Sequence, residues 1–197
     1  MRLNENSKLV GEKLVFVPYK KHHVEKYHNW MQSKELLEKT ASEPLSLEEE
    51  YQMQYNWWQD EDKCTFILLD KTLYNENEIG SMVGDVNLFF NNPDHNKEAE
   101  VEVMIAEKSM RGKGFGKEAV VTMMFYGFKV LNVEKYSVKI GFDNIASINL
   151  FTKLGFKEES RSDVFQEITY TLDCCSDNFA KNIEGIEVYF QQTNYDC

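Results

Sequence analysis

Between Arg111 and Gly116 the chain reads Arg-Gly-Lys-Gly-Phe-Gly, three glycines alternating with two cations and an aromatic residue. Glycines let a backbone turn tightly and bring its N–H groups against an anion with no Cβ in the way. The apolar stretch from Gly116 to Leu131 reads as a helix, so the loop ends where free N–H groups and a positive dipole end begin. Arg111, Lys113 and Lys117 gather charge at the same point. The chemistry this suggests is a cradle for a pyrophosphate, built from Arg111, Gly112, Lys113, Gly114, Phe115, Gly116 and Lys117.

Spacing excludes the two commoner phosphate loops. A nucleoside-triphosphate loop needs four residues between its glycines and a Ser or Thr after the lysine. Here three residues separate Gly112 from Gly116-Lys117, and Glu118 follows. A dinucleotide fingerprint needs G-x-G-x-x-G after a leading βαβ unit, and neither is present. The other chemical pair is Glu100 and Glu102, two apart on an alternating run, which places them on one face of a strand. A carboxylate whose pKa is raised there can take a proton. Asp85, in the neighbouring predicted strand, is a further candidate.

The elements that must hold these groups alternate between helix and strand. Strands are expected at Lys13 to Val17, Cys64 to Leu69, Met82 to Phe90 and Glu100 to Ala106, the third stopped by Asn91-Asn92-Pro93-Asp94. A polar turn is expected around Asn75 to Asn77. Val24, Tyr27, Trp30 and Met31 recur at helical spacing, and Ser46-Leu47-Glu48-Glu49 has the form of a capping box opening a second helix. Tyr55, Trp57 and Trp58 on that helix are candidates for an acceptor mouth as well as for core. After the glycine loop come a strand at Tyr136 to Ile140 and a helix from Asn144 to Leu154, with Asn144 as its cap and Ser147 in its first turn. Strands near Phe156 to Glu159 and Val164 to Leu172 close the pattern of an α/β (α+β) domain over residues 1–172. Residues 173–197 carry five acids against one lysine and read as an acidic tail or an added strand through Ile183, Ile186, Val188, Tyr189 and Phe190.

Bulk properties narrow the classes. The chain has 197 residues, and its 33 acids against 22 bases give a net charge of -11, the opposite of a nucleic-acid footprint. Such a balance fits a cationic partner or substrate such as an amine. The longest apolar run, near Val120 to Leu131, is too short to span a bilayer, so no membrane association is expected. Cys64, Cys174, Cys175 and Cys197 form neither a disulfide framework nor a zinc spacing, so no metal is expected. They point to a reducing cytosol, with nuclear access compatible.

Arg111 to Gly116 matches the R/Q-x-x-G-x-G/A signature of the GNAT superfamily of N-acetyltransferases. Asn144-x-x-Ser147-x-x-x-Phe151-x-x-x-Gly155-Phe156 resembles that family's second cofactor motif. Thr40 to Leu45, Met82 to Leu88 and Val164 to Glu167 further resemble its eukaryotic N-acetyltransferase 9-like branch, and the likeness covers residues 1–172. The resemblance implies the GNAT acyl-CoA N-acyltransferase fold, a mixed, mostly antiparallel sheet flanked by helices and splayed open after its fourth strand. It implies acetyl-CoA as co-substrate, with pantetheine on strand backbone near Met104, Ile105 and Ala106, and Asn144, Ser147 and Phe151 beside it. It also implies direct attack in a ternary complex by an amine, of a protein or peptide and compatible with a basic one, with Glu102 or Glu100 as base. Many members carry a tyrosine where Phe151 stands, its hydroxyl near the departing sulfur. Tyr136 and Tyr170 are the possible substitutes. A second reading is a catalytically weak acetyl-CoA-binding module that acts through protein–protein contacts.

Overall fold

The computed structural model describes residues 2–90, 97–186 and 191–195. The elements in chain order are β1 (Ser7–Val10), β2 (Leu14–Pro18), α1 (Val24–Trp30), α2 (Lys34–Lys39), α3 (Leu47–Gln59), β3 (Lys63–Asp70), α4 (Lys71–Tyr74), α5 (Glu78–Ser81) and β4 (Met82–Phe89). Then follow β5 (Glu98–Ile105), α6 (Phe115–Val130), β6 (Lys135–Gly141), α7 (Ile145–Lys153), β7 (Lys157–Ser162), β8 (Glu167–Asp173), α8 (Asp177–Ile183) and β9 (Gln191–Asn194). Among the described residues the strands form one sheet in the order β7-β8-β6-β5-β4-β3-β2-β1-β9. Every neighbouring pair is antiparallel except β5 with β6.

Strand alternation divides the apolar residues between two cores. Phe16, Phe66, Leu68, Val86 and Leu88 face α6, whose Val120, Met123, Met124 and Tyr126 are buried against them. Apolar residues lie on most sides of α6 because it is covered by the sheet and by α8: Phe179 of α8 packs on Phe128 at 5.2 Å between ring centroids. On the other face Val15, Val17, Ile67 and Leu69 meet Val24, Tyr27 and Trp30 of α1. There α3 begins with the expected capping box, the Glu49 N–H donating to Ser46 Oγ at 3.3 Å and the Ser46 N–H to the Glu49 carboxylate at 2.8 Å.

Several elements depart from the expectations. The short β1 precedes β2, and the segment around Asn75 to Asn77 lies between two one-turn helices, α4 and α5. The last core strand starts at Glu167 rather than Val164, because Gln166 has a positive φ of 54° and closes a hairpin. Val164 and Phe165 are thereby left at the hairpin tip, 87% and 74% exposed. Past residue 173, Ser176 caps α8 by accepting the Phe179 N–H, and β9 pairs with β1 from Ser7↔Asn194 to Val10↔Gln191. The expected stop at Asn91 to Asp94, the strand positions Val188, Tyr189 and Phe190, and Cys197 lie outside the described residues.

Candidate active site

β5 and β6 pair over Glu98↔Lys135, Ala99↔Tyr136 and Glu100↔Ser137, and then diverge. Beyond that point β5 continues on β4 as far as Ile105↔Gly84, while β6 continues on β8 as far as Gly141↔Glu167. The result is a wedge between two halves of one sheet, opening into a cavity of about 690 Å³. The phase of β5 decides which backbone groups face it. Lys97 C=O accepts from the Lys135 N–H on the β6 side, and the Ala106 N–H donates to Val83 on the β4 side. Alternation therefore turns the amides of Val101, Val103 and Ile105 into the wedge and those of Met104 and Ala106 towards β4. Of the three backbone contributors expected from sequence, Ile105 is on the open edge; Val103, not expected, joins it. Met104 and Ala106 point the other way because the two-residue period leaves no choice once β4 is paired.

At the end of β5 the chain makes a tight turn and enters α6 through the glycine loop. Gly112 and Gly114 have φ of 75° and 90°, conformations that disfavour any side chain, and Gly114 is the N-cap of α6. The first intrahelical bond of the turn is Glu118 N–H to Gly114 C=O at 3.0 Å, so helix geometry leaves the amides of Phe115, Gly116 and Lys117 pointing out of the helix end. Glu118 fixes that end in place: its carboxylate accepts from the Lys13 and Leu14 N–H groups at 2.8 and 3.0 Å. Phe115 is buried beneath the loop, whereas Lys113 and Lys117 are exposed.

Arg111 acts differently from the expectation of a free cation at the cradle. Its Nε donates to Ile105 C=O at 2.8 Å, and its guanidinium pairs with Glu35 of α2 at 2.6 Å. Lys108, Lys39 and Arg111 together hold the Glu35 carboxyl well below the usual carboxylate range. Arg111 thus ties the loop to the β5 terminus and to α2.

On the far wall Asn144 caps α7, its Oδ1 accepting the Ser147 N–H at 3.2 Å, and both side chains line the cavity. Phe151, one turn further, also lines it and packs edge-on against Phe156 at 5.1 Å. Neither substitute tyrosine reaches the site. The Tyr136 hydroxyl donates to Met124 C=O at 2.6 Å within the α6 core, and Tyr170 is buried in that same core.

The opposite mouth of the cavity is carboxylate-rich. The pairings Thr65↔Asn87↔Glu102 and Lys63↔Phe89↔Glu100 put one polar face across β3, β4 and β5. Glu102 faces the open cleft, yet desolvation by the cleft walls, then Glu100 and Asp85, push its pKa up to about 7. Glu100 is paired with Lys139 of β6 at 2.7 Å. Asp85 is fully enclosed, and burial lifts its pKa to about 6 despite a 2.8 Å hydrogen bond from Asn87 Nδ2. Among the described residues its Oδ1 has no hydrogen-bond partner. Lys63 is buried with its Nζ 2.8 Å from the Trp57 ring centroid and 4.4 Å from that of Phe89. Of the three aromatic candidates on α3, Trp57 lines the cavity; Trp58 bonds Glu5, and Tyr55 faces solvent.

Lys63 and Asn87 on this face, and Tyr27 of α1 in the cavity lining, are the groups that sequence reasoning missed. The alternation of Lys63-Cys64-Thr65-Phe66 already sets Lys63 and Thr65 on one face. Their relation to β4 and β5 requires the register. Among the described residues, one further cluster has metal-ligating types, His22, His23 and Glu78. His23 Nδ1 accepts the Lys20 N–H at 3.0 Å, which places its proton on Nε2, donated to Glu78 at 2.8 Å. Tyr195 also donates to Glu78, at 2.6 Å, so the cluster clasps the segment after β9 to α5.

Residues 13–157 match the family model described as an acetyltransferase (GNAT) domain. The chain belongs to the GNAT acetyltransferase family. A Nematostella vectensis N-acetyltransferase 9-like protein is 56% identical over 182 residues, covering 91% of each chain. A human protein named alpha/beta-tubulin-N-acetyltransferase 9 is 51% identical, covering 87% of this chain and 86% of its own. Among solved GNAT-like folds, a Vibrio cholerae spermidine N-acetyltransferase in complex with CoA and spermine superposes with a TM-score of 0.70 at 20% identity, over 82% of this chain and 95% of that one. The GNAT assignment makes the protein an acetyltransferase enzyme with a mixed, open sheet of the family type. No helix among the described residues is long and apolar enough to cross a membrane.

Proposed function

We propose that this enzyme transfers an acetyl group from acetyl-CoA to a primary amine of a protein or peptide, in one ternary complex. The observation that carries the reading is a cavity with two unlike walls. One wall offers the open edge of β5 at Val101 and Val103, the other Asp85, Glu100 and Glu102; the amide-rich start of α6 lies outside this lining, past the end of β5. The site fits acetyl-CoA, since the Val103 and Ile105 amides can bond an extended pantetheine arm and the Phe115, Gly116 and Lys117 amides a pyrophosphate. Asn144, Ser147 and Phe151 form the remaining wall against that arm. Bound acetyl-CoA supplies an activated carbonyl carbon and a thiolate leaving group.

The chain's own residues govern the proton. Glu102, with Asp85 as its enclosed neighbour, takes a proton from the incoming ammonium and frees its lone pair. The new bond joins the amine nitrogen to the carbonyl carbon, the carbon–sulfur bond breaks with its electron pair departing on sulfur, and the second N–H proton of the nitrogen passes to that thiolate or to solvent. A thiol of pKa about 8.5 leaves acceptably as thiolate, so Phe151 without a hydroxyl is compatible with turnover. An α-amine, pKa about 7.7–8.0, asks less of the base than a lysine at about 10.4. The relatives named for tubulin make alpha/beta-tubulin the first acceptor to test, and the acid-rich mouth is compatible with a basic segment beside the amine. Free thiols at Cys64, Cys174 and Cys175 fit a cytosolic setting.

The test is acetyl-CoA turnover with alpha/beta-tubulin, pooled peptides and spermidine, comparing wild type with Glu102→Gln and Gly114→Glu. Peptide or tubulin acetylation that both variants lose supports the reading; spermidine turnover alone would reassign the acceptor. Phe151 favours a second reading, a binding module with little catalysis. Thermal stabilisation by acetyl-CoA without turnover on any amine would select it.

A further inference from the structure

Lys63 has an unusual place. It opens β3 at the register of Phe89 and Glu100, on the same sheet face as Asn87, Asp85 and Glu102. The side chain is almost wholly enclosed, and its ammonium lies in a slot between the Trp57 and Phe89 rings. Burying a cation is costly unless something nearby compensates it. Here the compensation comes from the ring faces and from Asp85, Glu102, Asp60 and Asp62, in that order among the charges. Both rings belong to the cavity wall, so the cation is fixed against the acceptor side.

We propose that Lys63 is a positioning residue for amine deprotonation: its ammonium, locked in the Trp57–Phe89 slot, holds the Asp85 and Glu102 carboxyl groups in the ionised form that accepts the proton of the attacking amine. The inference rests on the reading of these carboxyls as the base. Like charges crowd Glu102, since Glu100 and Asp85 both face it; Lys63 and Lys139 are the cations that oppose them. Lys139 is already committed to Glu100 at 2.7 Å, which leaves Lys63 as the cation shared by Asp85 and Glu102. Tyr27 of α1 and Tyr19 after β2 also bear on Asp85, as neutral hydroxyls. Desolvation brings Lys63 itself down to about 7, so its ammonium acts on the two carboxyls up to about neutrality.

The experiment follows the protons directly. Carboxyl carbon NMR, assigned with Asp85→Asn and Glu102→Gln, gives the titration midpoints in wild type, Lys63→Met and Lys63→Arg. Rate–pH profiles are recorded in parallel with acetyl-CoA and alpha/beta-tubulin. In Lys63→Met the Asp85 and Glu102 midpoints are expected to rise by about one unit, and the acid limb of kcat/KM to move with them, a loss of about tenfold at low pH. Lys63→Arg is expected to restore both. In the wild-type protein Lys63 should still be an ammonium where the two carboxyls begin to ionise, a readout that survives if the Met variant fails to fold. Unmoved midpoints, or a Lys63 already neutral where the two carboxyls begin to ionise, overturn the proposal and leave Glu102 as base untouched. Midpoints that move while the rate limb stays fixed overturn the proposal and the base reading together.

Discussion

If Glu102 accepts the amine proton, catalysis must follow its ionisation. With its midpoint pushed up to about 7, it is about one-tenth ionised at pH 6 and about nine-tenths at pH 8. The kcat/KM of the wild-type enzyme is therefore expected to rise about tenfold across that interval. An ordinary glutamate near 4.5 would be saturated throughout and give no such limb. Glu100 supplies part of the upward push, so Glu100→Gln removes a negative neighbour and frees Lys139 to turn towards Glu102; both effects move the acid limb to lower pH. Glu102→Gln should abolish the limb and lower the rate by about 10²–10⁴-fold. The same raised value has a stability consequence of the opposite sense. A carboxyl that holds its proton more tightly when folded favours the folded state at low pH, and that advantage fades as pH rises through about 7. Melting temperature and kcat/KM should thus run in opposite directions as pH rises from about 5 through about 7, and Glu102→Gln should flatten both. A flat rate profile between pH 6 and 8 in the wild type, or an unchanged limb in Glu102→Gln, would refute the assignment.

Other perturbations test the scaffold. Gly114→Ala places a side chain at a φ of 90° and should cost about 1–2 kcal/mol, read as a lower melting temperature, together with a smaller acetyl-CoA-induced thermal shift. Ser46→Ala removes the cap of the helix that carries Trp57 and should cost about 1 kcal/mol in denaturant unfolding. The clasp at Glu78 should be acid-sensitive. Glu78 is held at about 2 despite its burial by hydrogen bonds from His23, Tyr195 and His22, while burial lowers His23. A depressed carboxyl loses its contribution as pH falls from about 4.5 towards 2, and a depressed histidine begins to cost stability below about 6.5. Tyr195→Phe should therefore lower the melting temperature at neutral pH and shrink the acid-induced decline.

The glycine loop and the Asn144 cap were readable because their signals are local. Three glycines before an apolar helix, and Asn144 before another, fix backbone geometry within a few residues, and they form the loop and cap seen here. The carboxylate face is a property of register. Glu100 and Glu102 share a face in any strand, but that Asp85, Asn87 and Lys63 join them depends on the pairing of β3, β4 and β5. The same limit explains Met104 and Ala106, whose apolar character was evident and whose amide direction was not. Arg111 shows a third kind of limit. Its type announces a cation for an anion, and the anion it meets is Glu35, 76 residues earlier in the chain.

The divergence of β5 from β6 also bears on mechanics. Three residue pairs join a half-sheet running from β5 to β9 with one running from β6 to β7, and α6 packs beneath the former. A ligand that bonds the free edge of β5 and packs on α7 would act as an additional rung between the halves. Shear stiffness across the wedge would then scale with ligand occupancy. Under a pulling force applied to opposite ends of the sheet, the ligand-free protein should part first along this seam, at a force that climbs as the nucleotide thioester is titrated in.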